Sequence, residues 1–310
     1  MHYYMAPLES VTTYIYRNAQ AKVYGPLDKY FIPFLEPHEK RDFKKREMQE
    51  ILPEHNRGLY AVPQILTNKA EGFGRLARAL GEFGYGELNL NLGCPSKTVV
   101  SKGKGSGFLA FPEELDRFLD RIFQETEQEI SIKTRIGRES PEEFGRLLAI
   151  YNRYPLKELI IHPRVQRDFY NHTPNREVYR MAVSESRNPL CYNGDLFCRE
   201  DVEQFCMEFP ETETIMLGRG LLQDPGMAGP SSTMEQFREF HEAVYQGYRE
   251  REQGDRNVLF KMKELWSYQI LRFPGAEAYG KRIRKTQNCR EYEQIVRELL
   301  ADGSCHPAAL

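Results

Sequence analysis

Over the first two thirds of the chain, short apolar runs alternate with longer stretches whose apolar residues recur every three or four positions. The runs cover 3–7, 30–35, 59–65, 87–92, 130–135, 158–162, 190–193 and 214–218. Each is short, rich in β-branched, Leu or Tyr residues, and bounded by polar or turn residues, which reads as a strand. Between them, 68–83 sets Phe73, Leu76, Ala77 and Leu80 on one helical face, and 112–126 does the same with Leu115, Phe118, Leu119 and Ile122. Pro112 suits a first-turn position, and Ser140-Pro141-Glu142-Glu143 supplies a capping serine, a first-turn proline and two acids. Strand–helix alternation repeated eight times predicts an α/β fold of the (β/α)₈ TIM-barrel type. On pattern alone, a doubly wound open sheet is the alternative.

The pattern changes near 226–232, where Gly-Met-Ala-Gly-Pro-Ser-Ser reads as a linker. Beyond it only helical periodicity is found, over 233–251, 256–272, 276–285 and 289–301. The expected organisation is a barrel over 1–229 followed by a small all-helical C-terminal domain over 230–310. The 310-residue length suits a barrel of roughly 250 residues with an appendage.

Charge refines this division. The whole chain carries a formal −2, yet residues 256–297 hold ten Lys or Arg against the acids 264, 277, 291 and 293, a local +6. A basic patch of that kind can meet phosphates, although solvated helix faces are charged as well. No stretch approaches the ~20 apolar residues of a membrane span, and the N-terminus lacks a secretory pattern. Cysteines at 94, 191, 198, 206, 289 and 305 form no Cys-x-x-Cys pair, which predicts a reduced, cytoplasmic protein without a metal centre, expected as a monomer.

In a barrel of this type, chemistry gathers at the C-terminal ends of the strands. Those ends here carry Gln64; Asn89 and Asn91 before Gly93-Cys94-Pro95; Lys133 and Arg135; His162 and Arg164; Asn193-Gly194-Asp195; and Gly218-Arg219-Gly220. Buried polar groups without partners are costly, so six successive strands ending this way point to a polar ligand over the mouth. The last two tripeptides suit a phosphate, with glycines for close backbone approach and a guanidinium for charge. Two other glycine-rich segments carry less. Gly72-Phe73-Gly74-Arg75-Leu76-Ala77 fits a dinucleotide fingerprint but falls inside a helical stretch, and 102–107 (Lys-Gly-Lys-Gly-Ser-Gly) lacks phosphate-loop spacing and reads as a mobile loop.

Taken in order, these segments resemble the tRNA-dihydrouridine synthases. Met5-Ala6-Pro7 with Val11-Thr12 and Arg17 is similar to that family's opening, and Asn89-Leu90-Asn91-Leu92-Gly93-Cys94-Pro95 to its catalytic signature. Ile132-Lys133-Thr134-Arg135-Ile136-Gly137, His162-Pro163-Arg164 with Tyr170, Asn193-Gly194-Asp195 and Met216-Leu217-Gly218-Arg219-Gly220 follow in the same sequence. The likeness covers roughly residues 3–225, and more loosely the helical segment. Two departures are Thr13, where the family usually has an acid, and Ile32-Pro33-Phe34, where it commonly has Glu-Met.

The resemblance implies reduction of the C5=C6 bond of a uracil base in tRNA. NADPH as transient reductant would reduce bound FMN, the reduced flavin would pass hydride to C6, and Cys94 would protonate C5. It implies that Pro7, Leu8, Glu9, Gln64 and Lys133 face the isoalloxazine, with Lys133 near its N1/C2 edge. His162, Asn193, Gly194, Asp195, Gly218 and Arg219 would hold the ribityl chain and phosphate, and Asn91 and Arg135 the base or flavin edge. Lys102, Lys104, Lys281, Arg282, Arg284 and Lys285 are the candidate RNA contacts. Ribosomal RNA, a free pyrimidine or a small enone stays open as substrate, and a noncatalytic RNA-binding barrel is the reading from another class.

Overall fold

The computed structural model describes residues 1–230 and 232–302, so Cys305 and the end of the expected helical domain lie outside the described residues. Eight strands form a closed parallel barrel in sequence order. They are β1 (His2–Met5), β2 (Lys29–Leu35), β3 (Ala61–Ile65), β4 (Glu87–Leu92), β5 (Glu129–Arg135), β6 (Leu159–His162), β7 (Leu190–Tyr192) and β8 (Thr214–Leu217). β8 closes on β1 with Tyr4 opposite Met216, and the doubly wound alternative is thereby excluded. Strand boundaries shift by local causes. β3 starts late because Leu59 N–H turns back to the Asn56 carbonyl at 3.1 Å, and Pro33 sits within the register shift between Ile32 and Leu35 on β2. A proline has no N–H to lose there.

Two compact units are present. The first comprises Met1–Pro7, Asp28–Asp195 and Cys206–Leu217, and thus contains all eight strands. Tyr4, Ala6, Phe31, Val62, Ile160, Cys191 and Met216 form a buried cluster within it. Near the N-terminal strand ends lies a second cluster, in which Lys29 pairs with Glu87 at 2.8 Å, Tyr60 donates to Glu87 at 3.1 Å and Tyr4 donates to Glu158 at 3.0 Å. Burial pushes the Glu158 carboxyl up to about 7.

The second unit comprises Leu8–Leu27, Leu196–Phe205 and the described residues from Gly218 onward. It draws in an early helix because helix Tyr14–Tyr24 packs on helix Met234–Arg251. Tyr16 meets Phe240 edge-on at 5.2 Å, and a Cβ at Gly247 would fall 2.6 Å from the Ile15 side chain, so the glycine permits the approach. Thr13, one of the departures from the family pattern, bonds the Tyr248 hydroxyl at 2.9 Å in this buried contact. The segment 226–232 is anchored at its end: Arg272 and Asp224 form a buried ion pair, and Ser232 bonds both, at 2.9 and 2.6 Å. Helices Asp255–Gln269, Glu277–Lys285 and Cys289–Ala301 complete the unit, with a 3₁₀ turn (Ile270–Arg272) ending the expected 256–272 helix early.

Candidate active site at the strand ends

β3, β4 and β5 bring their polar residues into register. Gln64 lies opposite Asn89 and Asn89 opposite Ser131, while Asn91 lies opposite Lys133. Residues two apart on a strand share a face, so both rows point the same way. A relay of amides results. Asn89 Nδ2 donates to Ser131 Oγ at 2.9 Å, Gln64 Nε2 to Asn89 Oδ1 at 2.8 Å, and Asn91 Nδ2 to Gln64 Oε1 at 2.7 Å. It ends on the backbone, where Asn91 Oδ1 accepts from the N–H groups of Gly93 and Cys94, both at 3.0 Å. Gln64, Asn89 and Ser131 have no exposed surface, so the orientation of the Cys94 loop is set from inside the barrel.

Three more contacts hold that loop. Arg135 Nε donates to the Gly93 carbonyl at 3.0 Å, and Ser106 donates to the Cys94 carbonyl through Oγ at 2.8 Å and N at 3.1 Å. The segment 102–107, expected to be a mobile loop, instead enters a buried 3₁₀ helix (Gly105–Ala110). A Cβ at Gly105, whose φ is +56°, would fall 2.8 Å from the Cys94 carbonyl oxygen. Its glycines serve close approach rather than mobility. Cys94 as a residue is half-buried.

Lys133 is different in kind. Its ammonium forms no ion pair or hydrogen bond among the described residues, and burial together with the neighbouring Arg135 guanidinium pulls it down to about 8. A half-buried cation without a partner among the described residues is suited to receive an anion. Arg135 spends its other donors on the Val165 and Phe169 carbonyls at 2.9 and 2.5 Å, with the exposed Tyr170 ring 5.5 Å away. Burial lowers its guanidinium to about 10. Arg164 mirrors it just after β6: it pairs with Asp195 through two nitrogens, one at 2.8 Å, and donates to the Asn171 and His172 carbonyls at 3.1 and 2.9 Å. The segment they brace holds Phe169 and His172 at φ of 50° and 61°, a backbone region that non-glycine residues enter at a cost.

Arg164 Nη1 also reaches His162 Nε2 at 3.1 Å. A guanidinium can only donate, so this contact assigns the acceptor role to Nε2 and the proton of the neutral ring to Nδ1. After β7, Asn193 Nδ2 donates to the Met216 carbonyl at 2.8 Å, and a Cβ at Gly194 would collide with the Tyr192 hydroxyl. Before the other end of the chain's first loop, Leu8 N–H donates to Thr12 Oγ1 at 2.8 Å within a turn that includes Glu9, with Pro7 preceding it. Gly218 and Arg219 follow β8, where Arg219 lies 5.0 Å over the Phe197 ring.

The structure therefore joins Gln64, Asn91, Cys94 and Arg135 in one network and His162 with Asp195 in another. Sequence reasoning passed over Ser131 and Ser106. Ser131 carried a signal in its spacing, two residues before Lys133 on the same strand face, whereas Ser106 carried none. Of the expected RNA contacts, Lys104 is paired with Glu36 at 3.1 Å and Arg282 with Glu298 at 2.6 Å. Lys102 is exposed, and Lys281, Arg284 and Lys285 are exposed without ion pairs among the described residues.

A closed barrel whose strand ends assemble a tethered cysteine, a lysine without a partner among the described residues and an arginine-braced loop defines the chain as an enzyme-like (β/α)₈ barrel. The model of the dihydrouridine synthase family matches residues 4–299, and the chain belongs to that family. It is 26% identical over 248 residues to a tRNA-dihydrouridine(16) synthase of Shigella flexneri, covering 76% of this chain and 75% of that one. It is 23% identical to a tRNA-dihydrouridine(16) synthase of Shewanella oneidensis, covering 96% and 98%. Among solved structures, a variant of NCR from Zymomonas mobilis superposes with a TM-score of 0.52 at 13% identity, over 78% of this chain and 87% of that one, which is a likeness of fold. No described helix is long and apolar enough to cross a membrane.

Proposed function

We propose that this protein is an FMN-dependent oxidoreductase that reduces the C5=C6 bond of uridine in tRNA to give dihydrouridine, with NADPH as reductant. The observation that carries the reading is the tether on Cys94, whose loop is fixed by Asn91, Arg135 and Ser106 while the residue is only half-buried. A thiol with an ordinary pKa of about 8.5 is protonated at neutral pH and can act as an acid. Family membership and the curated relatives named for tRNA-dihydrouridine synthesis support the substrate.

The residues present fit the flavin. Lys133 offers a half-buried positive charge with no partner among the described residues, suited to the electron-rich N1/C2 edge. Gln64 would contact the ring edge through the N–H that Asn89 leaves unused, and Pro7, Leu8 and Glu9 would line it through backbone groups. His162, Asn193, Gly194, Asp195, Gly218 and Arg219 are the proposed ribityl and phosphate residues, with Asn91 and Arg135 nearest the base. When bound and reduced, the flavin supplies the hydride for C6 of the uracil. Cys94 then gives its proton to C5, completing the two-hydrogen addition, and regains a proton from solvent. The target base is normally stacked, so it must be drawn out of the RNA to reach the thiol. Residues 1–229 would carry the chemistry and 230–310 the RNA docking, with Lys102, Lys281, Arg284 and Lys285 meeting phosphates.

The test is Cys94→Ala. The purified variant is expected to be yellow, to bind FMN stoichiometrically and to be bleached by NADPH, while dihydrouridine in tRNA falls by at least a hundredfold. Wild-type dihydrouridine formation by this variant overturns the acid assignment. Protein that purifies without flavin and takes up none overturns the cofactor, and unchanged tRNA dihydrouridine in cells lacking the protein overturns the substrate.

A further inference from the structure

The loop that follows β1 leaves the barrel at the C-terminal strand ends, the face on which a (β/α)₈ fold carries its ligands. Its base is buried and its edge is open: Val11, Thr12 and Thr13 are enclosed, Leu8 and Ser10 are half-buried, and Glu9 is exposed. The edge is the part able to meet a ligand, and its shape depends on what fixes Ser10.

Ser10 has a φ of 64°, in the left-handed region that a residue with a Cβ enters at a cost. One helix of the helical unit, Asp255–Gln269, grips it at two points. The Lys261 ammonium donates to the Ser10 carbonyl at 3.0 Å, and the Ser10 hydroxyl donates to Glu264 Oε2 at 3.0 Å. Lys261 and Glu264 lie three residues apart and so share a helix face. Both bonds involve a charged group, the stronger class of hydrogen bond. The base of the loop has its own fastenings. Leu8 N–H closes on Thr12 Oγ1 at 2.8 Å, the Thr12 carbonyl accepts from Arg17 at 2.8 Å, and Thr13 meets the Tyr248 hydroxyl at 2.9 Å. Lys261 and Glu264 act instead on the strained residue beside the open edge. Backbone strain held in place by surrounding structure is a mark of a loop preset for a ligand.

We propose that Lys261 and Glu264 are positioning residues for the flavin: by clamping Ser10 they hold Leu8 and Glu9 in the arrangement that receives the cofactor before it binds. This rests on the proposed function in taking the ligand of that edge to be FMN. The two residues act through Ser10 and not by touching the flavin. A loop released from the clamp binds FMN only in the fraction of molecules that still adopt the clamped form, and the apparent affinity falls by that fraction.

The test follows FMN release as the FMN-loaded full chain is diluted, read as the rise in flavin fluorescence, together with amide hydrogen exchange over residues 8–13. Glu264→Ala should raise the FMN dissociation constant by about threefold to tenfold and speed exchange in the loop. Glu264→Gln keeps an acceptor for the Ser10 hydroxyl and should recover most of that affinity. Ser10→Ala should match Glu264→Ala, and the double variant should bind no more weakly than either single one, because both remove the same bond. FMN affinity unchanged in Glu264→Ala and Ser10→Ala overturns the inference, even where the unfolding temperature falls, since the clamp then serves stability alone. A loss in Glu264→Gln as large as in Glu264→Ala, or additive losses in the double variant, overturns it as well. A wild-type chain that binds no FMN defeats the proposed function and this inference with it. A wild type that holds FMN no more tightly than its variants loses the clamp alone.

Discussion

Lys133 is half-buried, with no counter-ion among the described residues, and partial loss of solvation together with the Arg135 guanidinium lowers its pKa to about 8. In the unfolded chain the same group titrates near about 10.4. Between those values the unfolded state binds more protons, so this residue's contribution to stability rises with pH, and below about pH 8 its penalty is present in full. Flavin-free Lys133→Met should therefore unfold at higher urea concentration than flavin-free wild type at pH 7, with the two midpoints converging above pH 10. Affinity for FMN should move the other way, falling at least tenfold in the variant if Lys133 is the cation that faces the flavin, as proposed. A wild-type midpoint equal to that of the variant at pH 7 would mean that Lys133 is already solvated or paired. Both lysine and thiol were recognisable as candidates from the sequence, since each stands at a strand end beside polar neighbours of the same face. Their difference was not: the spacing reveals nothing of Arg135 spending its donors on carbonyls while Lys133 keeps its own unspent.

At the scale of the elements, the eight strands were legible because parallel strands covered on both faces read as compact apolar runs. The glycine-rich segment after Cys94 was misread for a related reason. Composition cannot separate glycine used for freedom from glycine used for contact, and the positive φ of Gly105 against the Cys94 carbonyl is contact. The β3–β4–β5 relay was half legible, through Gln64 and the two asparagines, while its terminus Ser131 resembles any strand serine. Ser131→Ala would strand Asn89 Nδ2 in a site with no exposed surface, at a cost of about 1–3 kcal/mol. Calorimetry should show that cost as a lower unfolding temperature, whereas an unchanged temperature would mean that Asn89 finds another acceptor.

The cluster at the N-terminal strand ends carries its own pH signature. Glu158 is raised to about 7 by burial, so between its unfolded value near about 4.3 and pH 7 the folded state binds more protons. Its contribution is then fully present at low pH and is lost as pH rises through 7. Glu158→Gln keeps an acceptor for Tyr4 and removes the titration, so it should flatten the fall in stability from pH 5 to pH 8 without changing flavin content. A slope identical to wild type in chemical denaturation would show that the carboxyl is ionised at low pH and that Lys29 satisfies it.

For the molecule as a whole, charge is the property least visible from the total. A chain of formal −2 carries a local +6 over 256–297, and folding spends those cations unequally. Lys261 and Lys263 donate to the Ser10 and Thr286 carbonyls, Arg272 is buried against Asp224, and Arg282 is tied to Glu298. On helix Glu277–Lys285, Lys281, Arg284 and Lys285 stay exposed without ion pairs among the described residues, and these three can release counterions from a nucleic acid. Their simultaneous replacement by Ala leaves the buried Ile283 anchor of the helix in place, so the fold should be retained. Measured against salt, the log–log slope of tRNA affinity should become shallower by about 2 to 3, roughly one for each lost phosphate contact. Turnover at saturating tRNA should stay near wild type, because none of the three belongs to the barrel chemistry. A slope unchanged by the triple replacement would remove this helix from the RNA interface, and a loss of turnover at saturation would tie it to the chemical step instead of to docking.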